Sequence, residues 1–195
     1  MKIKVAVTGG IGSGKSTVLA ILKDMGYSVY SCDEIYKNLI RRKDYVAEIE
    51  KRFGCVKDGH IQLDELSEKV FSNPEKRKEL NALAHPRIMK ELLLAMENAT
   101  ANVVFAEVPL LFEGEYENLF DKVLVVLRDT SARISSVKVR DSLSDEQILS
   151  RIHAQIDYDS VSLKERLKKI GAYCIYNHTD LEHIKNELEN FIKTV

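Results

Sequence analysis

Short β-branched runs and amphipathic stretches alternate along most of the chain. "KIKVAVT" (Lys2–Thr8) is apolar, β-branched and brief, the pattern of a buried central strand in a parallel sheet. From Lys15 the period becomes helical. Val18, Ile21, Leu22 and Met25 share one face, and Gly26 supplies the stop. Four further runs read as strands: Tyr27–Cys32, Asn102–Val108, Lys122–Leu127 and Ala172–Tyr176. Between them lie helix signals. Asn73 offers an N-cap before Pro74, and Gly171 can close a helix that begins near Ser162. Capping boxes pair Ser144 with Gln147, Ser162 with Glu165 and Thr179 with Glu182. Strands alternating with helices predict an α/β fold, with a five-stranded parallel sheet flanked by helices.

Between the first strand and the first helix, Gly9, Gly14, Lys15 and Ser16 fill G-x-x-x-x-G-K-[ST]. This is the P-loop pattern in the strand–loop–helix setting it needs. Glycines let the backbone curl so that successive N–H groups face phosphate oxygens, and the helix adds its positive N-terminal end. Gly10, Gly12, Ser13, Gly14, Lys15, Ser16 and Thr17 are therefore the expected nucleotide cradle. Lys15 should reach the β- and γ-phosphates, and the Ser16 hydroxyl should ligate Mg²⁺ brought by the triphosphate. The expected ligand is ATP. The fold expectation sharpens to a P-loop NTPase.

Two spans between strands are too long for simple crossovers, Asp33 to Ala101 and Arg128 to Ile170. Both read as helical insertions, with no strand expected in the first, at the sheet edge where open α/β sheets bind ligands. The expected organisation is a nucleotide-binding core of residues 1–33, 101–128 and 160–195, a helical acceptor-binding subdomain of 34–100 and a lid of 129–159.

Composition narrows the class of partner. Of 195 residues, 45% are apolar and the formal net charge is −1, which speaks for a packed core and against a nucleic-acid or membrane-surface protein. No apolar run approaches the roughly 18 residues of a membrane span, and the strand pattern starts at Lys2 without a signal-peptide pattern. A cytoplasmic protein is expected. Cys32, Cys55 and Cys174 match no metal or disulfide spacing and read as reduced thiols. The oligomeric state is not legible.

A signalling GTPase would carry Asn-Lys-x-Asp and Asp-x-x-Gly motifs. The first is absent, and Asp58-Gly59 is too tight for the second. A kinase needs a carboxylate near the γ-phosphoryl group and cations that close over the phosphates. Asp33, directly after the second strand, is the candidate carboxylate. It would accept the proton of an attacking hydroxyl, orient it, or hold a metal-bound water. Its other reading is an N-cap for the helix "EIYKNLI". Kinases for other small metabolites and a non-catalytic ATP-binding module fit the same loop.

"TGGIGSGKST", "CDEIYKNLI", "LAHPRI" (Leu83–Ile88), "VPLLFE" (Val108–Glu113), "RDSLSDEQILSRIHAQ" (Arg140–Gln155) and "IYN" (Ile175–Asn177) together resemble the dephospho-coenzyme A kinase family over nearly the whole chain. The resemblance implies transfer of the γ-phosphoryl of ATP to the ribose 3′-hydroxyl of dephospho-coenzyme A, the last step of coenzyme A synthesis. It assigns the P-loop to Gly9–Thr17, the acidic catalytic residue to Asp33 and a lid arginine to Arg140. It places His85, Pro109 and Leu110 at the acceptor, and Asn177 near the adenine. Pro86 has a second reading as the first residue of a helix, with His85 held extended before it. Departures from the family pattern are Ser31 and Cys32 for Asp-Ala, Lys37 for Arg, Ser136 for a lid Arg, Arg133 for Gln and Gly171-Ala172 for Ala-Asp. Arg133, one helical turn before Ser136, is a candidate replacement for the missing lid arginine.

Overall fold

The structure is a computed structural model that describes residues 2–141, 143–178 and 180–195. In chain order it runs β1 (Ile3–Thr8), α1 (Lys15–Asp24), β2 (Ser28–Ser31), α2 (Cys32–Leu39) and α3 (Lys43–Phe53). There follow β3 (Val56–Lys57), β4 (His60–Ile61), α4 (Leu63–Phe71), α5 (Pro74–Glu97) and β5 (Val103–Glu107). The chain ends with β6 (Lys122–Leu127), α6 (Thr130–Asp141), α7 (Asp145–His153), α8 (Val161–Lys169), β7 (Tyr173–Tyr176) and α9 (Leu181–Ile192). These divide into two compact units, Met1–Tyr30 with Met96–Val195, and Ser31–Ala95. The boundaries expected near 34 and 100 thus fall at 31 and 95.

The first unit is a five-stranded parallel sheet in the order β2-β5-β1-β6-β7. β1 lies between β5, with Ile3 opposite Val103, and β6, with Thr8 opposite Val125. β6 in turn pairs with β7, with Leu127 opposite Tyr176. β2 and β5 lie on one side of β1, and β6 and β7 on the other, so the loop after β1 sits at the point where strand order reverses. Parallel pairing brings the C-terminal ends Thr8, Leu127 and Tyr176 to one edge. Val5, Val7, Phe105, Leu124, Val126 and Ile175 pack one face of the sheet against Val18 and Leu22 of α1 and Ile184, Leu188 and Phe191 of α9. The central strands are apolar where both faces are covered, as at Val5–Val7 and Val123–Val126.

The second unit packs around Leu39, Tyr45, Ile49, Phe53, Cys55, Leu66, Leu83 and Ala84. It contains a strand pair where none was expected. β3 and β4 form an antiparallel hairpin, with Val56 opposite Ile61, closed by Asp58 (φ 50°) and Gly59 (φ 76°). Positive φ at both turn residues is the conformation that matches hairpin twist, and Asp-Gly is the pair that adopts it readily.

Most local signals hold. Asn73 Oδ1 accepts from the N–H groups of Glu75 and Lys76 at 3.0 and 3.1 Å. The Ser144–Gln147 capping box is present in both directions. α8 is capped by Ser160 rather than Ser162. α9 is capped by Asp180, whose side chain accepts from the N–H of Glu182; Thr179 lies outside the described residues. Pro86 does not open a helix. It sits inside the 24-residue α5. Its missing N–H leaves the exposed Ala82 carbonyl without a helical donor, while Arg87 Nη1 donates to the next carbonyl, Leu83, at 3.0 Å.

Candidate active site

Five consecutive carbonyls of the loop after β1 are each held by a side-chain donor. Lys15 Nζ donates to those of Gly9 and Gly10 at 2.7 and 3.1 Å. Arg133 Nε donates to Ile11 at 2.9 Å, Arg128 Nη1 to Gly12 at 3.3 Å and Asn177 Nδ2 to Ser13 at 2.9 Å. C=O and N–H point in opposite directions across a planar trans peptide. Each donor therefore also fixes the direction of the following N–H: those of Ile11 and Ser13 turn to Gln155 and to the Gly10 carbonyl, and fixed amide directions are how a loop is set to receive an anion. α1 starts at Lys15 with Gly14 in the left-handed region (φ 97°), so its N-terminal end faces the same place.

Gly12 and Gly14 are both required by close approach to later segments. A Cβ on Gly12 would lie 2.6 Å from the carbonyl oxygen of Arg133, a backbone atom that cannot yield. A Cβ on Gly14 would overlap the Asn177 side-chain amide. Residue types at these two positions are set by α6 and by the end of β7, not by the loop alone.

Ser16, in the first turn of α1, is exposed and offers a hydroxyl oxygen suited to a hard cation. Among the described residues, no cluster of three or more His, Cys, Asp or Glu side chains is arranged to hold a metal ion.

The segment after β6 is built against the loop. Arg133 is 6% exposed, and its guanidinium covers Gly10 where a side chain would otherwise stand. Burial lowers its pKa, and the charges of Asp159, Tyr158 and Asp157 oppose that shift; an arginine so placed stays protonated. Arg128 also donates to Ser136 Oγ at 2.6 Å. From the far end of the segment, Gln155 Oε1 accepts from Ile11 N–H at 2.7 Å. Next to it, Glu113 Oε1 accepts from Ile156 N–H at 3.0 Å. The Tyr158 hydroxyl lies 3.3 Å from Thr8 Oγ1, and burial pushes its phenol up to about 12. A cavity of about 400 Å³ opens beside the loop, bordered by Gly10, Ser13, Arg128, Arg133, Lys164 and Cys174.

The remaining expected site residues belong to other elements. Arg140 shares a helical stripe with Arg133 and Val137 but sits two turns, about 10 Å, further along α6. Its guanidinium makes a two-pronged contact with Asp141, Nε–Oδ1 at 2.7 Å and Nη2–Oδ2 at 2.8 Å, which raises its pKa and lowers that of Asp141. Asp33 belongs to the other unit, in the first turn of α2. It is not the cap. Ser31 Oγ takes that role, accepting from Asp33 N–H at 3.2 Å, and the Asp33 side chain is exposed. His85 is half-buried in α5, and burial lowers its pKa. Pro109 and Leu110 follow β5 in a turn whose next residues, Leu111 and Phe112, are buried. Sequence reasoning missed Arg128 and Gln155 as loop contacts. Gln155 closes the stretch quoted above, but nothing in its spacing points to residue 11.

Fold and loop define a P-loop nucleoside-triphosphate-binding protein. Comparison with known proteins is more specific. The sequence profile described as dephospho-CoA kinase matches residues 3–182. A dephospho-CoA kinase of Fusobacterium nucleatum is 35% identical over 194 residues, covering 98% of this chain and 97% of that protein. The crystal structure of TT1252 from Thermus thermophilus superposes with a TM-score of 0.83 at 32% identity, over 100% of this chain and 98% of that one. A dephospho-CoA kinase from Campylobacter jejuni does so with a TM-score of 0.63 at 29% identity, over 99% and 97%. The chain belongs to the dephospho-CoA kinase family.

Proposed function

We propose that this chain transfers the γ-phosphoryl group of ATP to the ribose 3′-hydroxyl of dephospho-coenzyme A. The observation that carries the nucleotide half is the row of loop carbonyls held by Lys15, Arg133, Arg128 and Asn177, which turns loop amides toward an anion. Family membership carries the acceptor half.

In this reading amides of the loop other than that of Ile11, which Gln155 holds, and the Lys15 ammonium hold the β- and γ-phosphates. The Ser16 hydroxyl would be a ligand of Mg²⁺ brought by the triphosphate. When bound, that ion offsets charge on the phosphate oxygens. Asp33 orients the acceptor hydroxyl and takes its proton, which an exposed carboxylate not used as a helix cap is free to do. His85, Pro109 and Leu110 contribute to holding the acceptor. Arg133 is the loop-side cation, and Arg140 comes to the phosphates only when the distal half of α6 and α7 closes. The adenine lies along Asn177, flanked by the exposed rings of Tyr176 and His178, which are nearly parallel at 6.2 Å between centroids. Cys55 and Cys174 are thiols, which supports a cytoplasmic site of action, and no described helix is long and apolar enough to cross a membrane.

The test is acceptor choice. With Mg·ATP, ADP release is followed for dephospho-coenzyme A, nucleoside monophosphates, shikimate and no acceptor. The expected result is rapid release only with dephospho-coenzyme A, giving a product phosphorylated at the ribose 3′ position. Preference for another acceptor overturns the specificity. Release that ignores the acceptor makes the protein an ATPase.

A further inference from the structure

Ile11, at the tip of the phosphate loop, has both backbone polar groups taken by side chains from the segment between β6 and α8. Its N–H donates to Gln155 Oε1 at 2.7 Å, and its C=O accepts from Arg133 Nε at 2.9 Å. The two partners come from opposite ends of that segment. Arg133 is in the first turn of α6, and Gln155 follows the end of α7. Each end is fastened independently. α6 is seated on Gly12 through the Arg133 backbone and Val137. The chain beyond Gln155 is tied through Ile156 to Glu113 and through Tyr158 to Thr8.

The consequence for the loop follows from peptide planarity. The Gly10–Ile11 peptide presents its N–H to Gln155 and, on its other edge, its C=O to Lys15 Nζ at 3.1 Å and to the Ser13 N–H at 3.2 Å. Gln155 therefore acts on the lysine through one rigid plane. The Ile11–Gly12 peptide presents its C=O to Arg133, which directs the Gly12 N–H the opposite way. One side chain orients the plane that Lys15 grips, and the other orients the plane that supplies an amide to the anion.

We propose that Arg133 and Gln155 are positioning residues that clamp Ile11 and thereby hold the phosphate loop in its anion-binding shape. The two feet of the lid segment are part of the nucleotide site. Lid motion is confined to the distal part of α6 and to α7, where Lys138, Arg140 and Arg151 are exposed. The clamp rests on the reading of this loop as the nucleotide site, but not on the identity of the acceptor.

The test uses the full chain with Gln155→Met, near in size but without the acceptor oxygen, and Gln155→Glu, which keeps it. A carboxylate is tolerated there because Arg133 and Lys15 act on the same loop. Affinity for a non-hydrolysable ATP analogue is measured by calorimetry, KM is measured separately for ATP and for dephospho-coenzyme A, and exchange of the Ile11 amide is followed by NMR. Losing one hydrogen bond that orients the loop should weaken the analogue about tenfold in Gln155→Met. KM for ATP should rise in parallel, KM for the acceptor should change by less than about twofold, and Ile11 protection should be lost. Gln155→Glu should recover affinity to within about threefold. Arg133→Met combined with Gln155→Met should weaken the analogue by less than the product of the two single effects, because both act on one residue. Unchanged analogue affinity in Gln155→Met, equal losses in the Met and Glu variants, or fully multiplicative losses in the pair would each overturn the clamp. If Gln155→Met does not fold, Gln155→Asn, one methylene too short, must show the loss instead. Acceptor-independent ADP release would sink the function above and leave the analogue titration to decide the clamp.

Discussion

The side-chain amide of Asn177 donates to the carbonyl of Ser13 at 2.9 Å across a separation of 164 residues, and the same amide occupies the space beside Gly14. The end of β7 is thus latched to the loop that follows β1. Asn177 is 7% exposed, so Asn177→Ala leaves the Ser13 carbonyl without that partner and should cost about 1–3 kcal/mol. Gly14→Ala should cost a similar amount, about 1–3 kcal/mol, from the positive φ and the overlap with Asn177. The overlap part disappears when Asn177 is already alanine. Urea unfolding of the two single variants and the double variant should therefore show a coupling of at least about 0.5 kcal/mol. Strict additivity would separate Gly14 from Asn177.

Lys15→Met should lower phosphoryl transfer by at least about 10²–10³-fold, since the ammonium offsets charge that develops on the phosphates. The fold should survive. The carbonyls of Ile11, Gly12 and Ser13 keep Arg133, Arg128 and Asn177 as donors. Single-turnover assays beside thermal melts check both halves. Turnover near the parent level in a folded variant would remove the lysine from the chemistry.

Asp33→Asn should leave ATP-analogue affinity within about twofold and lower transfer by about 10²–10⁴-fold, the usual contribution of a positioned general base. Helix α2 keeps its cap because Ser31 supplies it. The stability change should be a few tenths of a kcal/mol from the loss of a negative charge near a helix N-terminus. A large drop in melting temperature with normal turnover would make Asp33 structural.

His85 predicts an acid-side loss of stability. Burial lowers its pKa in the folded chain below the ordinary 6.5. Between the folded value and 6.5 the unfolded chain binds more protons, so stability rises with pH there and falls as pH drops below about 6.5. His85→Gln should flatten this slope. Melting temperatures of the two proteins, measured from neutral pH downward, should diverge in that direction; parallel curves would mean that His85 does not titrate against folding.

The strand–loop–helix around the P-loop was legible because its signals are local. The P-loop spacing, the apolar run before it and the change to helical period after it all lie within residues 2–26. The choice between Arg133 and Arg140 was not legible. Both lie on one stripe of α6, and which of them meets the loop depends on where the helix is seated, which Gly12 and Val137 decide by contact. The hairpin at Asp58-Gly59 carried its turn signal in the sequence, but strands of two residues give no alternation to support it. Pro86 suggested a boundary through its restriction of the preceding residue. The helix continues because the carbonyl it orphans is exposed and Arg87 covers the next one. Asn177 stood at a strand end in the sequence. Its bond to Ser13 needs the sheet order, which joins β6 to β7 and β1 to β6.

The order of strands also sets a timetable for synthesis. β1 leaves the ribosome first, yet Ile3 pairs with Val103 and Val5 with Phe105 and Lys122. At about 5–20 residues per second, the strand destined for the middle of the sheet waits some 5–20 s for its first neighbour along the register. Residues 31–95 form a contiguous unit with its own apolar core and need no such wait. Proteolysis of stalled nascent chains of increasing length should find this inserted unit protected before β1. The newborn chain would then carry a folded middle and an unpaired, adhesive N-terminal strand, a substrate suited to a chaperone that binds short apolar β-segments.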